Sequence, residues 1–169
     1  MKKTSKLMMS IIVVLIFSTA FIGSGIAPAR GSIAPALKLN DKENIIAPES
    51  FKGKYVLLNF WSAADGKSRL KTNELNAAVK ELNKNDNNKG KISLVSVNFD
   101  RSEKLFHEIV KRDNLDAQSQ FYATGKDAEN LRRAYNLQKG LNSFLINPKG
   151  KIIAVNPSRN DLSRILNQN

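Results

Sequence analysis

Asp65-Gly66-Lys67-Ser68 sets a carboxylate and a hydroxyl three residues apart, where a β-forming run gives way to a helical period. A carboxylate in such a place can work as a general acid or base, and a hydroxyl as a nucleophile if a base sits beside it. Asp65 has no acidic partner nearby in sequence, and a catalytic carboxylate needs one or a tuned environment. The only histidine, His107, falls on a different helix and off its apolar stripe, so it reads as a solvated surface residue rather than a base for Ser68. One histidine also excludes a multi-histidine metal site. The absence of cysteine excludes thiol catalysis, a disulfide framework and cysteine-ligated zinc or iron–sulfur centres. Asp86 and Asp100 stand alone, and no stretch follows the calcium-loop pattern. No metal or cofactor is therefore expected, and the residues do not predict an enzyme. Asp65 is left with a structural task as the N-cap of the following helix, accepting from the amides of its first turn. Lys67, Arg69 and Lys71 make that turn basic enough to receive an acidic peptide or an anion, although Asp65 takes part of the site. Trp61, at the end of the preceding strand, is either packed or an exposed anchor for a partner.

These residues must be held by something, and the 169-residue chain, 41% hydrophobic and 25% charged, is long enough for one domain with a core. Ala36–Leu39 is a short strand candidate, and Pro48–Gly53 reads as a turn. Tyr55–Trp61 is a near-continuous apolar run, as a strand covered on both faces requires. A helix follows to about Asn83, with Leu75, Ala78, Val79 and Leu82 on one stripe. Ile92–Phe99 is a second buried strand, after which Asp100 and Glu103 look like a capping pair. The helix they open carries Leu105, Phe106, Ile109 and Val110. Gln118–Tyr122 is a weak edge strand and Asp127–Tyr135 a short helix. Ser143–Ile146 and Lys151–Val155 flank Asn147-Pro148-Lys149-Gly150, a hairpin turn. Ser158 and Asp161 cap a last helix bearing Leu162, Ile165 and Leu166. This alternation predicts an α/β fold with parallel central strands and an antiparallel terminal hairpin.

Two segments resemble a known family. Gly53–Leu75 (GKYVLLNFWSAADGKSRLKTNEL) is similar to the strand, active-site turn and helix of exported, TlpA-like thioredoxin-like thiol–disulfide oxidoreductases, whose turn reads roughly F-W-A-x-W-C-x-P-C. Ser143–Ile153 (SFLINPKGKII) resembles the family's T-F-L-I-D-x-x-G-K-I hairpin, and the likeness runs from about Ala34 to Asn167. The resemblance implies a thioredoxin-like fold, a mixed β-sheet sandwiched by helices with an N-terminal strand extension. With Phe60-Trp61 in register, the nucleophilic cysteine falls on Asp65, the resolving cysteine on Ser68 and the proline between them on Lys67. The family's cis-proline falls on Leu141, between Gly140 and Asn142. A thiolate attacks and is resolved through a mixed disulfide, which neither Asp65 nor Ser68 can enter. A cis bond before a non-proline residue costs about 3–4 kcal/mol, so a trans bond and a remodelled loop are expected at Leu141. In active relatives the corresponding loop pairs with an extended substrate segment, a mode that needs no thiol. The resemblance thus points to Trp61, Lys67, Arg69, Gly140, Leu141 and Asn142 as a binding face without redox chemistry.

Lys2, Lys3 and Lys6, the apolar run Leu7–Ile22 and Ala27-Pro28-Ala29 together describe a secretory leader over residues 1–29, or a retained membrane anchor. The domain then occupies 30–169, and the protein is expected in the periplasm or cell envelope. Removing three lysines would lower the net charge from +12 to +9. An exported basic chain meets envelope polymers and lipid headgroups rather than nucleic acid. The Lys84–Lys91 run, diluted by asparagine, reads as a solvated loop. The first expectation is non-covalent binding of an envelope protein or extended peptide. The alternatives are an enzyme of other, non-thiol chemistry and an electrostatic binder of anionic envelope polymer or lipid.

Overall fold

The computed structural model describes residues 28–37, 39–41, 44–45, 53–85, 88 and 90–168. Residues 1–27 of the leader or anchor expected over 1–29, and most of the turn expected at 48–53, lie outside the described residues. In chain order the elements are β1 (Asn40–Asp41), β2 (Asn44–Ile45), β3 (Tyr55–Trp61), α1 (Gly66–Leu82), β4 (Ile92–Asn98) and α2 (Glu103–Arg112). There follow β5 (Gln120–Tyr122), α3 (Gly125–Ala134), β6 (Ser143–Ile146), β7 (Ile152–Val155) and α4 (Arg159–Asn167). Five strands form one sheet in the order β5-β4-β3-β6-β7. β3 and β4 run parallel, as do β4 and β5, while β6 is antiparallel to both β3 and β7. This is the mixed α/β sandwich that the sequence predicts.

Side-chain alternation along β3 explains the layers. Val56, Leu58 and Phe60 face one core with Val95, Val97, Phe99, Tyr135 and Leu137. Leu57 faces the other, against Leu75, Ala78 and Val79 of α1 and Leu162 and Leu166 of α4. Trp61 lies with Phe106, Ile109 and Val110 of α2. Asn147 accepts from the Lys149 and Lys151 amides and fixes the hairpin turn. Ser158 and Asp161 form a reciprocal capping box on α4.

Three expectations change. Among the described residues of 36–39 no strand forms. The chain upstream of them straps onto the edge of β7, with Gly31 N–H donating to Ile152 O, Ile152 N–H to Ser32 O and Ala34 N–H to Gly150 O. Pro35 lacks a backbone donor to continue that pairing, and Leu37 and Leu39 simply fill the first core. Leu105 is exposed rather than part of the α2 stripe, because it sits about 100° round the helix from Phe106, which points at the sheet. In the Lys84–Lys91 loop, Asn88 is buried and donates to Asn167 Oδ1, so that loop is tied down rather than wholly solvated.

Candidate functional site

The substituted turn grows out of the C-terminal end of β3. Asp65 caps α1 as expected, its Oδ1 accepting from Ser68 N–H at 3.2 Å. Ser68 is only 4% exposed. Its hydroxyl donates to Asp65 O at 3.0 Å and accepts from Ser62 N–H at 3.2 Å, so it closes the turn and faces no base. His107 is exposed on α2, with Nε2 3.8 Å from Glu103. The helix therefore starts with a carboxylate fixed at its cap and a buried hydroxyl three residues on.

Asp100 holds the turn from below. It does not open α2; Ser102 does, accepting from Leu105 N–H. Asp100 instead turns inward, where it is 6% exposed. Its carboxylate accepts from Ser62 Oγ at 2.5 Å, Ala63 N–H at 2.9 Å and Asn98 Nδ2 at 2.7 Å. Burial alone would raise its pKa, but these donors outweigh it and hold the carboxyl below the ordinary aspartate range. The expected capping pair is thus corrected: a buried anion satisfied by local donors is worth more here than an exposed cap. Nothing in local spacing identifies this role, because Ser62 and Ala63 lie on the other side of α1 in sequence.

Two candidate binding residues are also corrected. Trp61 is 0% exposed, wedged against Phe106, Ala63 and Tyr122, so it supports the turn from within instead of anchoring a partner. Arg69 is engaged: Nε donates to Asp113 Oδ2 at 2.6 Å and an Nη to Oδ1 at 2.5 Å, a bidentate pair joining α1 to the end of α2. Hydrogen bonding from Arg69 holds the Asp113 carboxyl below its usual range. Lys71 pairs with Glu74 on the helix surface. Lys67 remains exposed on the first turn of α1. Beside it, Leu70 is 71% exposed, a large apolar side chain turned to solvent that helical patterning alone does not single out.

The second wall is the loop before β6. Asn142 O accepts from Phe60 N–H at 3.2 Å, extending the β3–β6 ladder by one step beyond Asn59 and Ser143. Asn142 Oδ1 accepts from Asn156, which pins the loop to the end of β7. The peptide bond before Leu141 is trans. Leu141 packs its side chain on the first core. Its N–H and C=O make no hydrogen bond within the described chain. Among the described residues no group of His, Asp or Glu side chains could hold a metal ion.

A sequence profile described as thioredoxin-like matches residues 53–152. A thioredoxin-like protein from Parabacteroides distasonis is 35% identical, with a TM-score of 0.69 over 83% of this chain and 96% of that one. The thioredoxin domain of a thiol-disulfide oxidoreductase from Bacteroides vulgatus is 26% identical, with a TM-score of 0.67 over 84% and 98%. A thiol:disulfide interchange protein from a Bacteroides species is also 26% identical, with a TM-score of 0.69 over 85% and 91%. No curated protein matches the chain. Profile and fold agree: the chain belongs to the thioredoxin-like family, its relatives include proteins named as thiol–disulfide oxidoreductases, and it contains no cysteine.

Proposed function

We propose that this protein is a redox-inactive thioredoxin-like domain of the cell envelope that binds an extended segment of another polypeptide without covalent chemistry. The observation that carries this reading is the unpaired Leu141 backbone, a donor and an acceptor next to Asn142, which is itself tied to Phe60 and to Asn156. Such a pair is satisfied by a strand laid alongside it. The first turn of α1 lies at the same end of β3 and offers Lys67 and the exposed Leu70 as charged and apolar contacts. Without cysteine the chain cannot form a mixed disulfide, so a bound segment is held and released by affinity alone. Location in the envelope rests on the leader-like residues 1–29.

The test is photo-crosslinking in native cells, with the crosslinking residue placed at 67 and, separately, at 141. Position 149, in the hairpin turn at the opposite end of β6, serves as control. A discrete adduct at 67 or 141 that is missing at 149 supports the reading. No adduct, or equal labelling at all three positions, overturns it.

A further inference from the structure

A second docking edge lies at the other end of the sheet. β4 spans Ile92–Asn98, but β5 pairs only with Ser96, Val97 and Asn98. The chain before β5 coils into a short 3-10 turn, Ala117–Ser119, in which Ser119 N–H donates to Asp116 O instead of reaching Leu94. Residues 92–95 of β4 are left without a neighbouring strand on that side, although Ile92 and Leu94 are largely buried. Ladder parity decides which groups face it. Asn98 O accepts from Ala123 N–H on the β5 side, whereas Lys91 O and Phe99 N–H bond toward β3. Ile92 and Leu94 therefore aim their backbone groups outward. Ile92 O is met by Asn83 Nδ2 at 3.2 Å. Ile92 N–H and both backbone groups of Leu94 have no partner within the described chain.

These groups open into a cleft of about 470 Å³ between α1 and the sheet. Val79 supplies apolar wall, while Lys80 and Lys84 stand one helical turn apart on its rim. Lys80 donates to Asn114 O at 3.2 Å, and Lys84 has no partner among the described residues. Asp116 is the one carboxylate lining the cleft, and its Oδ1 already accepts from Gln118 N–H. The uncovered stretch corresponds to about 13 Å of strand. From this we infer that the lower edge of β4 is a docking slot for an extended acidic polypeptide segment, which adds a short strand in line with β5 and sets carboxylates against Lys80 and Lys84. Backbone pairing supplies the fit, and the two ammonium groups select the sign of charge. This slot is independent of the Leu141 loop.

The probe is an acetylated, amidated peptide of alternating valine and glutamate, added to the full chain and followed by amide hydrogen exchange. Exchange at Ile92 and Leu94 is expected to slow at least about tenfold at saturation, while Ser93 and Val95, already paired with β3, stay unchanged. A peptide with lysine in place of glutamate should have no effect, and the double variant Lys80→Glu/Lys84→Glu should weaken binding of the glutamate peptide by about tenfold or more. The inference is overturned if the glutamate peptide does not bind, or binds without slowing those two amides. It is equally overturned if the lysine peptide binds as well. Protection of both amides in the free chain would show that a segment of the chain itself, or a second copy, already fills the slot, and would overturn it too.

Discussion

Asp100→Ala probes the clamp beneath the substituted turn. The substitution leaves Ala63 N–H and Asn98 Nδ2, donors at 2.9 and 2.7 Å, without an acceptor, and frees Ser62 Oγ to water. Each orphaned buried donor costs about 1–3 kcal/mol. Relief of the buried carboxylate's own desolvation offsets part of this, and a net loss of about 3 kcal/mol is expected. With a urea m-value of about 2 kcal/mol/M, the unfolding midpoint falls by about 1.5 M. The pH dependence carries a definite sign. The folded carboxyl titrates below its unfolded value of about 3.9, so its contribution is complete above that pH and disappears as pH falls through the lower, folded pKa. The gap between wild type and variant should therefore be constant near neutrality and narrow only in acid. Urea titrations at pH 7 and at a series of acidic pH values measure it. A loss below about 0.5 kcal/mol at pH 7, or a gap that does not narrow in acid, would refute the reasoning.

Asp65→Ala removes the α1 cap and should cost about 1 kcal/mol, whereas Asp65→Asn should keep most of it; equal losses by denaturation would show that the side chain does not cap. A double-mutant cycle on Arg69→Ala and Asp113→Ala should give a coupling of about 1 kcal/mol at neutral pH. That coupling should fade as pH drops through the depressed Asp113 pKa, and a cycle that closes to zero at pH 7 rejects the pair as a stabilising link. Trp61, the only tryptophan, should emit as a buried indole and resist iodide quenching. An easily quenched Trp61 would return it to the list of surface anchors.

Much of this architecture is legible in the sequence because it is written locally. The apolar runs of β3 and β4, the α1 stripe, the Asn147–Gly150 turn and the Ser158/Asp161 box each fall within one element or turn. The loss of thiol chemistry is legible too, since the chain has no cysteine. What escapes is decided by partners far along the chain. Asp100 looks like a cap until β3 brings Ser62 and Ala63 above it. Arg69 looks like a free cation until α2 ends beside it at Asp113. Trp61 is equally suited to core or surface, and the cluster of Phe106, Ile109 and Val110 that packs with it decides for the core. The open edge of β4 is invisible in sequence because it depends on β5 being shorter than the strand it joins.

The strap on β7 has a bearing on the order of events as the chain is made. Gly31, Ser32 and Ala34 are synthesised early, yet their partners Gly150 and Ile152 belong to the last hairpin, and Tyr135 Oη must also reach back to Pro35 O. The first residues of the domain thus wait for nearly all the rest, and their pairing closes a long loop that local contacts cannot hasten. A chain stalled before the hairpin leaves that opening segment without its strand partners, and the core that Leu37 and Leu39 join without Phe144 and Ile152. Completion of the last hairpin, rather than the appearance of the earlier helices, is the step that ties down the opening segment.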